Sequence, residues 1–134
     1  KKLTVYGKGH QKRGFLNIND TLRCVELSIN NPAEIGEFRV FNQYTETFSI
    51  NELAQITLSA CEDIDKKIEV LNLENPRFEQ AEHYYNPKNS GLISLGLKPI
   101  NLDKSLIKNM ILKLEKYSEE IDQNKFLPSL KWKN

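Results

Sequence analysis

The 134 residues suffice for one compact domain and are too few for two ordinary ones. Nineteen basic residues against eighteen acidic leave a formal charge of +1, and 39% hydrophobic with 28% charged residues is a globular balance. These values exclude a broad electrostatic pull toward nucleic acid or an anionic membrane, so any basic site is local. No apolar run spans a bilayer and no signal peptide is evident.

LTVY at 3–6 reads as a short strand, followed by the Gly-rich loop YGKGHQKRGF at 6–15. FLNI at 15–18 reads as a second extended run. A helix follows, capped by Asn19 or Asp20, with Leu22, Val25, Leu27 and Ile29 as its apolar face and Pro32 and Gly36 ending it. FRVFN at 38–42 predicts another strand. Ser49 and Glu52 form a capping box for a helix lined by Ile50, Leu53, Ile56, Thr57 and Ala60. IEVLNL at 68–73 predicts a strand, and NPRFEQAEHYYNPK is irregular. Residues 88–95 predict a short helix with Gly96 at its C′ position. Asp103 caps a last helix carrying Leu106, Ile107, Met110, Ile111, Leu114, Tyr117 and Ile121 on one side. Such alternation predicts an α/β fold with parallel pairing. Few strands, the first beginning at residue 3, suggest a piece of something longer. Cys24 and Cys61 lack C-x-x-C spacing and read as reduced, half-buried thiols of an intracellular protein.

The loop glycines at 7, 9 and 14 do not match G-x-G-x-x-G, because the third comes two places late and an extended run follows it. No Gly-Lys-Ser/Thr triplet makes a Walker loop. A plain hairpin turn with solvated lysines is the alternative. Tyr84 and Lys88 have Y-x-x-x-K spacing, but Pro87 between them spoils the helix that chemistry needs. Glu79, Glu82 and His83 lack metal-ligand spacing. Arg77, after Pro76, suits bidentate recognition of a phosphate; an ion pair with Glu79 or Glu82 is the plainer alternative. Composition and spacing therefore end at a small α/β domain with two arginine loops, at Arg13 and Arg77, each suited to an anion.

Taken together, the strand, Gly loop and Arg13, the FN of FRVFN and the S-x-x-E-L of SINELAQI resemble the extended short-chain dehydrogenase/reductase family of NAD-dependent nucleotide-sugar epimerases and dehydratases. NPRFEQAEHYYN and the closing PSLKWK are similar to its sulfolipid-forming branch, and the resemblance covers nearly the whole chain. It implies the C-terminal, substrate-binding portion of a Rossmann-like fold: a small, mostly parallel sheet with helices, residues 1–134 forming one nucleotide-sugar domain without the N-terminal dinucleotide half. It implies that the backbone of Thr4, Val5 and Tyr6 meets the uracil ring and that Gln11 opens a Q-x-R pattern. Arg13 would then contact the diphosphate or the ribose and Arg77 the diphosphate, with Glu79 at the ribose. A diphosphate carries about two negative charges, which two arginines on separate loops can clamp. His10 departs from this pattern, where glycine is expected, and puts the loop shape in doubt if that position needs a positive φ.

The branch's reaction makes UDP-sulfoquinovose from UDP-glucose and sulfite. NAD takes a hydride from the sugar C4, water leaves C6, sulfite adds and the hydride returns. The NAD fingerprint and the catalytic Tyr/Lys pair of such enzymes lie in the N-terminal half, so the resemblance implies no catalytic residue, no metal and no bound cofactor in this chain, and no turnover by it alone. It implies a cytoplasmic or plastid-stromal protein and a homodimer burying the apolar surface that a larger sheet would cover. The alternatives are a stand-alone interaction module descended from the same fold and a part of an enzyme acting on another UDP-sugar.

Overall fold

The computed structural model describes residues 2–75, 86–122 and 125. In chain order the elements are β1 (Lys2–Tyr6), β2 (Lys12–Phe15), α1 (Ile18–Asn30), β3 (Glu46–Ser49), α2 (Ile50–Glu62), β4 (Glu69–Leu73), α3 (Ser90–Ser94) and α4 (Lys104–Glu115), then a 3-10 turn at Ser118–Glu120. The fold is α/β, with a small parallel sheet and helices. The chain divides into two compact units, Lys1–Gln11 with Ser49–His83 and Asp103–Asn134, and Lys12–Phe48 with Tyr84–Leu102.

In the first unit β1 and β4 pair in parallel, from Lys2 opposite Glu69 to Tyr6 opposite Leu73. Parallel neighbours need a crossover, and α2 leads directly into β4. Helix α2 packs on β1 and on α4. Val5, Ala54, Ala60 and Cys61 are buried. The capping box forms as expected: Ser49 Oγ accepts the Glu52 N–H at 3.2 Å, and Glu52 Oε2 accepts the Ser49 N–H at 2.6 Å. Asp103 likewise caps α4, accepting from the Leu106 N–H at 2.7 Å. Lys104 meets Asp63 at 2.7 Å, and Lys66 pairs with Glu115, so both ends of α4 are tied to the segment after α2. The helix stops at Glu115, short of Tyr117 and Ile121. Its last turn tightens into i,i+3 bonds, Tyr117 N–H to Leu114 O, leaving Tyr117 and Ile121 exposed.

In the second unit β2 pairs with β3, and the Phe15 and Phe48 rings lie 6.0 Å apart, tilted by 55°. Its core is Cys24, Leu92 and Leu97, with Leu16, Leu27 and Phe41 packed against it. The expected extended run at 15–18 gives way to β2 at Lys12–Phe15, because Leu16 turns into this core. The cap of α1 is Asn17, not Asn19 or Asp20; its side chain accepts the Asn19 N–H at 2.9 Å. Asp20 sits a turn further in, fully buried, where it accepts the Ile100 N–H at 2.6 Å and the Arg23 guanidinium at 3.2 Å. The buried face of α1 is therefore Asp20 and Cys24 with Leu27, while Leu22, Val25 and Ile29 of the expected face are exposed. FRVFN at 38–42 is not a strand; no strand pairs with it among the described residues, and Glu46–Ser49 is the strand instead. Strand preference is realised only against a partner, and β2 takes 46–49 as its own. The short helix expected at 88–95 is α3, and Gly96 after it takes φ 102°.

Candidate functional site

Ligands of parallel α/β sheets gather beyond the carboxyl ends of the strands. Here that end is marked by the loop after β1. Gly7 and Gly9 take φ values of 67° and 71°, which glycine adopts without the Cβ penalty. Gly7 extends the ladder by donating its N–H to Leu73 O at 2.8 Å. A Cβ on Gly9 would stand 2.0 Å from Asn51 Oδ1. That close approach exists because Asn51, in the first turn of α2, grips the loop twice: its N–H reaches Gly9 O at 3.0 Å and its Nδ2 reaches Lys8 O at 2.9 Å. The loop thus fills one of the open donors of a helix N-terminus. His10 does not take a positive φ, so its departure from glycine distorts nothing. It is exposed, as is Lys8.

The ladder phase decides which backbone groups of β1 are spare. In a parallel pair every second residue bonds a given neighbour. Gly7 bonds β4, so Leu3 and Val5 share that side, and Thr4 and Tyr6 turn their peptide groups to the other edge. On that edge Tyr6 O accepts from Gln11 Nε2 at 3.4 Å. Val5 is 1% exposed, so only its main chain could meet a ligand. The Tyr6 hydroxyl is buried and has no hydrogen-bond partner among the described residues. Such a group ordinarily costs about 1–3 kcal/mol, so an unmet donor stands at this site.

Thr4, Val5, Tyr6 and Gln11 come together in the first unit; Arg13 belongs to the second, on β2. Arg13 is half-buried and donates from Nη1 to Lys12 O at 2.8 Å. Arg77 and Glu79 lie outside the described residues, as does Tyr84. Gly14 serves packing, since a Cβ there would come 2.8 Å from Cγ of Tyr44. The loop continues into β2 and not into a helix N-terminus, so the dinucleotide geometry is absent from it. No group of three or more His, Cys, Asp or Glu that could hold a metal is found among the described residues. Burial pushes both thiols, Cys24 and Cys61, above their ordinary pKa, with the charge of Asp20 adding to the rise at Cys24. A cleft of about 400 Å³ lined by Leu58, Glu62, Asp65, Lys66, Lys67 and Ile68 lies before the start of β4, at the opposite end of the parallel pair from the loop. The residue that sequence reading missed is Asn51. Its one signal is an amide in the first turn of a capped helix, and its loop partners are more than forty positions away.

No family model matches the chain. It is 48% identical over 131 residues to the chloroplastic UDP-sulfoquinovose synthase of Spinacia oleracea, covering 98% of this chain and 27% of that protein. It is 40% identical over 133 residues to the UDP-sulfoquinovose synthase of Sulfolobus acidocaldarius, covering 98% of this chain and 34% of that protein. The chain thus spans about a third or less of the length of these curated relatives. No helix among the described residues is long and apolar enough to cross a membrane.

Proposed function

We propose that this chain, a relative of the UDP-sulfoquinovose synthases along nearly its whole length, is the part of such an enzyme that holds the UDP of UDP-glucose. The observation that carries this reading is the 48% identity over 98% of the chain. In this reading residues 1–134 act as one nucleotide-sugar-binding domain, from the C-terminal part of the enzyme. The peptide groups of Thr4 and Tyr6, which face away from β4, supply the donor and acceptor that a uracil edge requires. Val5 stiffens that edge through its buried side chain, and Gln11 props the Tyr6 carbonyl. Arg13 and Arg77 neutralise the diphosphate, with Glu79 accepting from the ribose hydroxyls. Two guanidinium groups suit two phosphates because each offers a planar fork of donors.

The sugar chemistry, joining sulfite to the hexose with NAD as hydride carrier, belongs to the whole enzyme. In this reading NAD is held by the rest of the enzyme; the Gly loop of this chain leads into an extended strand, unlike the strand-to-helix turn of a dinucleotide fingerprint. This chain's share is to bind and orient, and it alone is expected neither to reduce NAD nor to form UDP-sulfoquinovose.

Calorimetry with UDP and UDP-glucose tests the reading. The expected result is weak binding to the wild-type chain and roughly 10–100-fold weaker binding to Arg13→Ala and Arg77→Ala, the cost of one charge-assisted contact. Equal binding by all three proteins would refute the arginine assignments. No binding of either ligand, by a chain whose circular dichroism shows it folded, would refute the UDP-holding role.

A further inference from the structure

The loop after β1 holds Gly7 and Gly9 in the left-handed region, on either side of Lys8. Glycine loses more backbone freedom on ordering than any other residue, so a Gly-x-Gly segment left to itself samples several shapes. A ligand that needs one of those shapes loses affinity in proportion to how seldom it is populated. Asn51 removes the choice. Its N–H donates to Gly9 O at 3.0 Å and its Nδ2 to Lys8 O at 2.9 Å. Gly9 is also wedged, since a Cβ there would stand 2.0 Å from Asn51 Oδ1 and 3.0 Å from Cγ1 of Val5. The capping box of Ser49 and Glu52 fixes the turn on which Asn51 stands.

What the grip controls is the peptide unit joining Tyr6 to Gly7. Its N–H donates to Leu73 O at 2.8 Å, so its carbonyl points to the opposite edge of β1. There Tyr6 O accepts from Gln11 Nε2 at 3.4 Å, which leaves the oxygen a second lone pair. Rotating this one peptide by half a turn would put an N–H on the edge in place of the oxygen. Gly7 has no Cβ to favour one sign of φ, so its own sterics do not bar that flip. Uracil and cytosine differ at the atom such an edge reads: N3 of uracil carries a donor, and N3 of cytosine is an acceptor. An edge with a fixed oxygen accepts uracil and repels cytosine, and an edge free to flip takes both.

On the reading that this edge meets the base of a nucleotide, we propose that Asn51 is a positioning residue that sets base selectivity. By holding Lys8 O and Gly9 O it bars the flip of the Tyr6–Gly7 peptide, and so keeps an acceptor turned toward the base. Asn51 acts through the loop and needs no contact with the nucleotide.

The test compares UDP with CDP by NMR titration of the wild-type chain, Asn51→Ala and Asn51→Asp. Asn51→Ala loses the arm to Lys8 O. Asn51→Asp loses the same donor, while a carboxylate in the first turn suits the positive end of α2. A role in helix stability alone would therefore leave the binding of Asn51→Asp unchanged. Wild type is expected to prefer UDP over CDP roughly 10-fold, the effect of one mismatched hydrogen bond. Both variants are expected to bind UDP roughly 10-fold less tightly and CDP much as before, so the preference shrinks to about 2-fold or less. Without any nucleotide, the Gly7 amide should exchange with solvent roughly 10-fold faster in both variants, because the flip takes it off Leu73 O. Wild type that binds UDP without preferring it, a preference that survives in both variants, an equal loss of UDP and CDP, or unmoved Gly7 exchange would each overturn the role of Asn51 and leave the UDP-holding role standing. Wild type that is folded by circular dichroism and binds neither nucleotide sinks the proposed function, and base selectivity falls with it.

Discussion

Replacing Asp20 isolates the one fully buried carboxylate among the described residues. Oδ2 accepts the Ile100 N–H at 2.6 Å and Oδ1 the Arg23 guanidinium at 3.2 Å. The Arg23 side chain is 52% exposed, so solvent screens that pair to about 1 kcal/mol or less. The bond to Ile100 is charge-assisted and removed from water, and its loss strands an N–H, for about 2 kcal/mol. Asp20→Ala is therefore expected to cost about 3 kcal/mol. Asp20→Asn keeps an acceptor for Ile100 and should cost about 1–1.5 kcal/mol. Arg23→Ala should cost no more than about 1 kcal/mol. Urea midpoints of the three variants test the order, and amide exchange at Ile100 should accelerate in Asp20→Ala alone. If Asp20→Ala lies within about 0.5 kcal/mol of wild type, or Asp20→Asn is as damaging as Asp20→Ala, the carboxylate is not the clasp described.

Ser49→Ala should destabilise by about 1 kcal/mol in a urea melt, and Glu52→Ala by somewhat less, since each removes one arm of the capping box. Gly9→Ala is expected to cost about 2 kcal/mol or more, combining the positive φ with displacement of Asn51; an unshifted midpoint would contradict the close approach. Cys24 and Cys61 keep their protons longer in the folded than in the unfolded state, because burial raises both pKa values. That stability is fully present below the unfolded thiol pKa of about 8.5 and declines as the pH rises above it. The urea midpoint should therefore fall more steeply from pH 8 to 10 in wild type than in the Cys24→Ala, Cys61→Ala double variant.

Elements with local signals were legible from the chain. LTVY and IEVLNL became the paired strands, Ser49 with Glu52 and Asp103 became the caps they read as, and Gly96 followed its helix in the left-handed region. What failed depended on a partner. FRVF carries strand chemistry, yet pairing went to the weaker ETFS, because β2 needs a neighbour at that place. Helix α1 offers apolar residues on two sides, and periodicity cannot say which of them meets Leu92 and Leu97. The cap moved to Asn17 because Asp20 has a distant donor in Ile100 that no local window contains. At the loop, glycine spacing departs from the dinucleotide fingerprint, and the loop runs on into β2. The substrate roles of Arg13, Arg77 and Glu79 rest on resemblance, since an arginine reads the same in sequence whether it belongs to a phosphate clamp or to a surface ion pair.

The double grip of Asn51 makes one proton a timer for the loop. Its amide is bonded to Gly9 O rather than to a carbonyl within its own helix, so exchange with solvent requires the loop to lift, whatever the rest of α2 does. A neighbouring amide deep in α2 opens only with the helix. The ratio of the two exchange rates therefore separates loop opening from helix opening in a single spectrum, and its change on adding a nucleotide reports how long the loop stays closed.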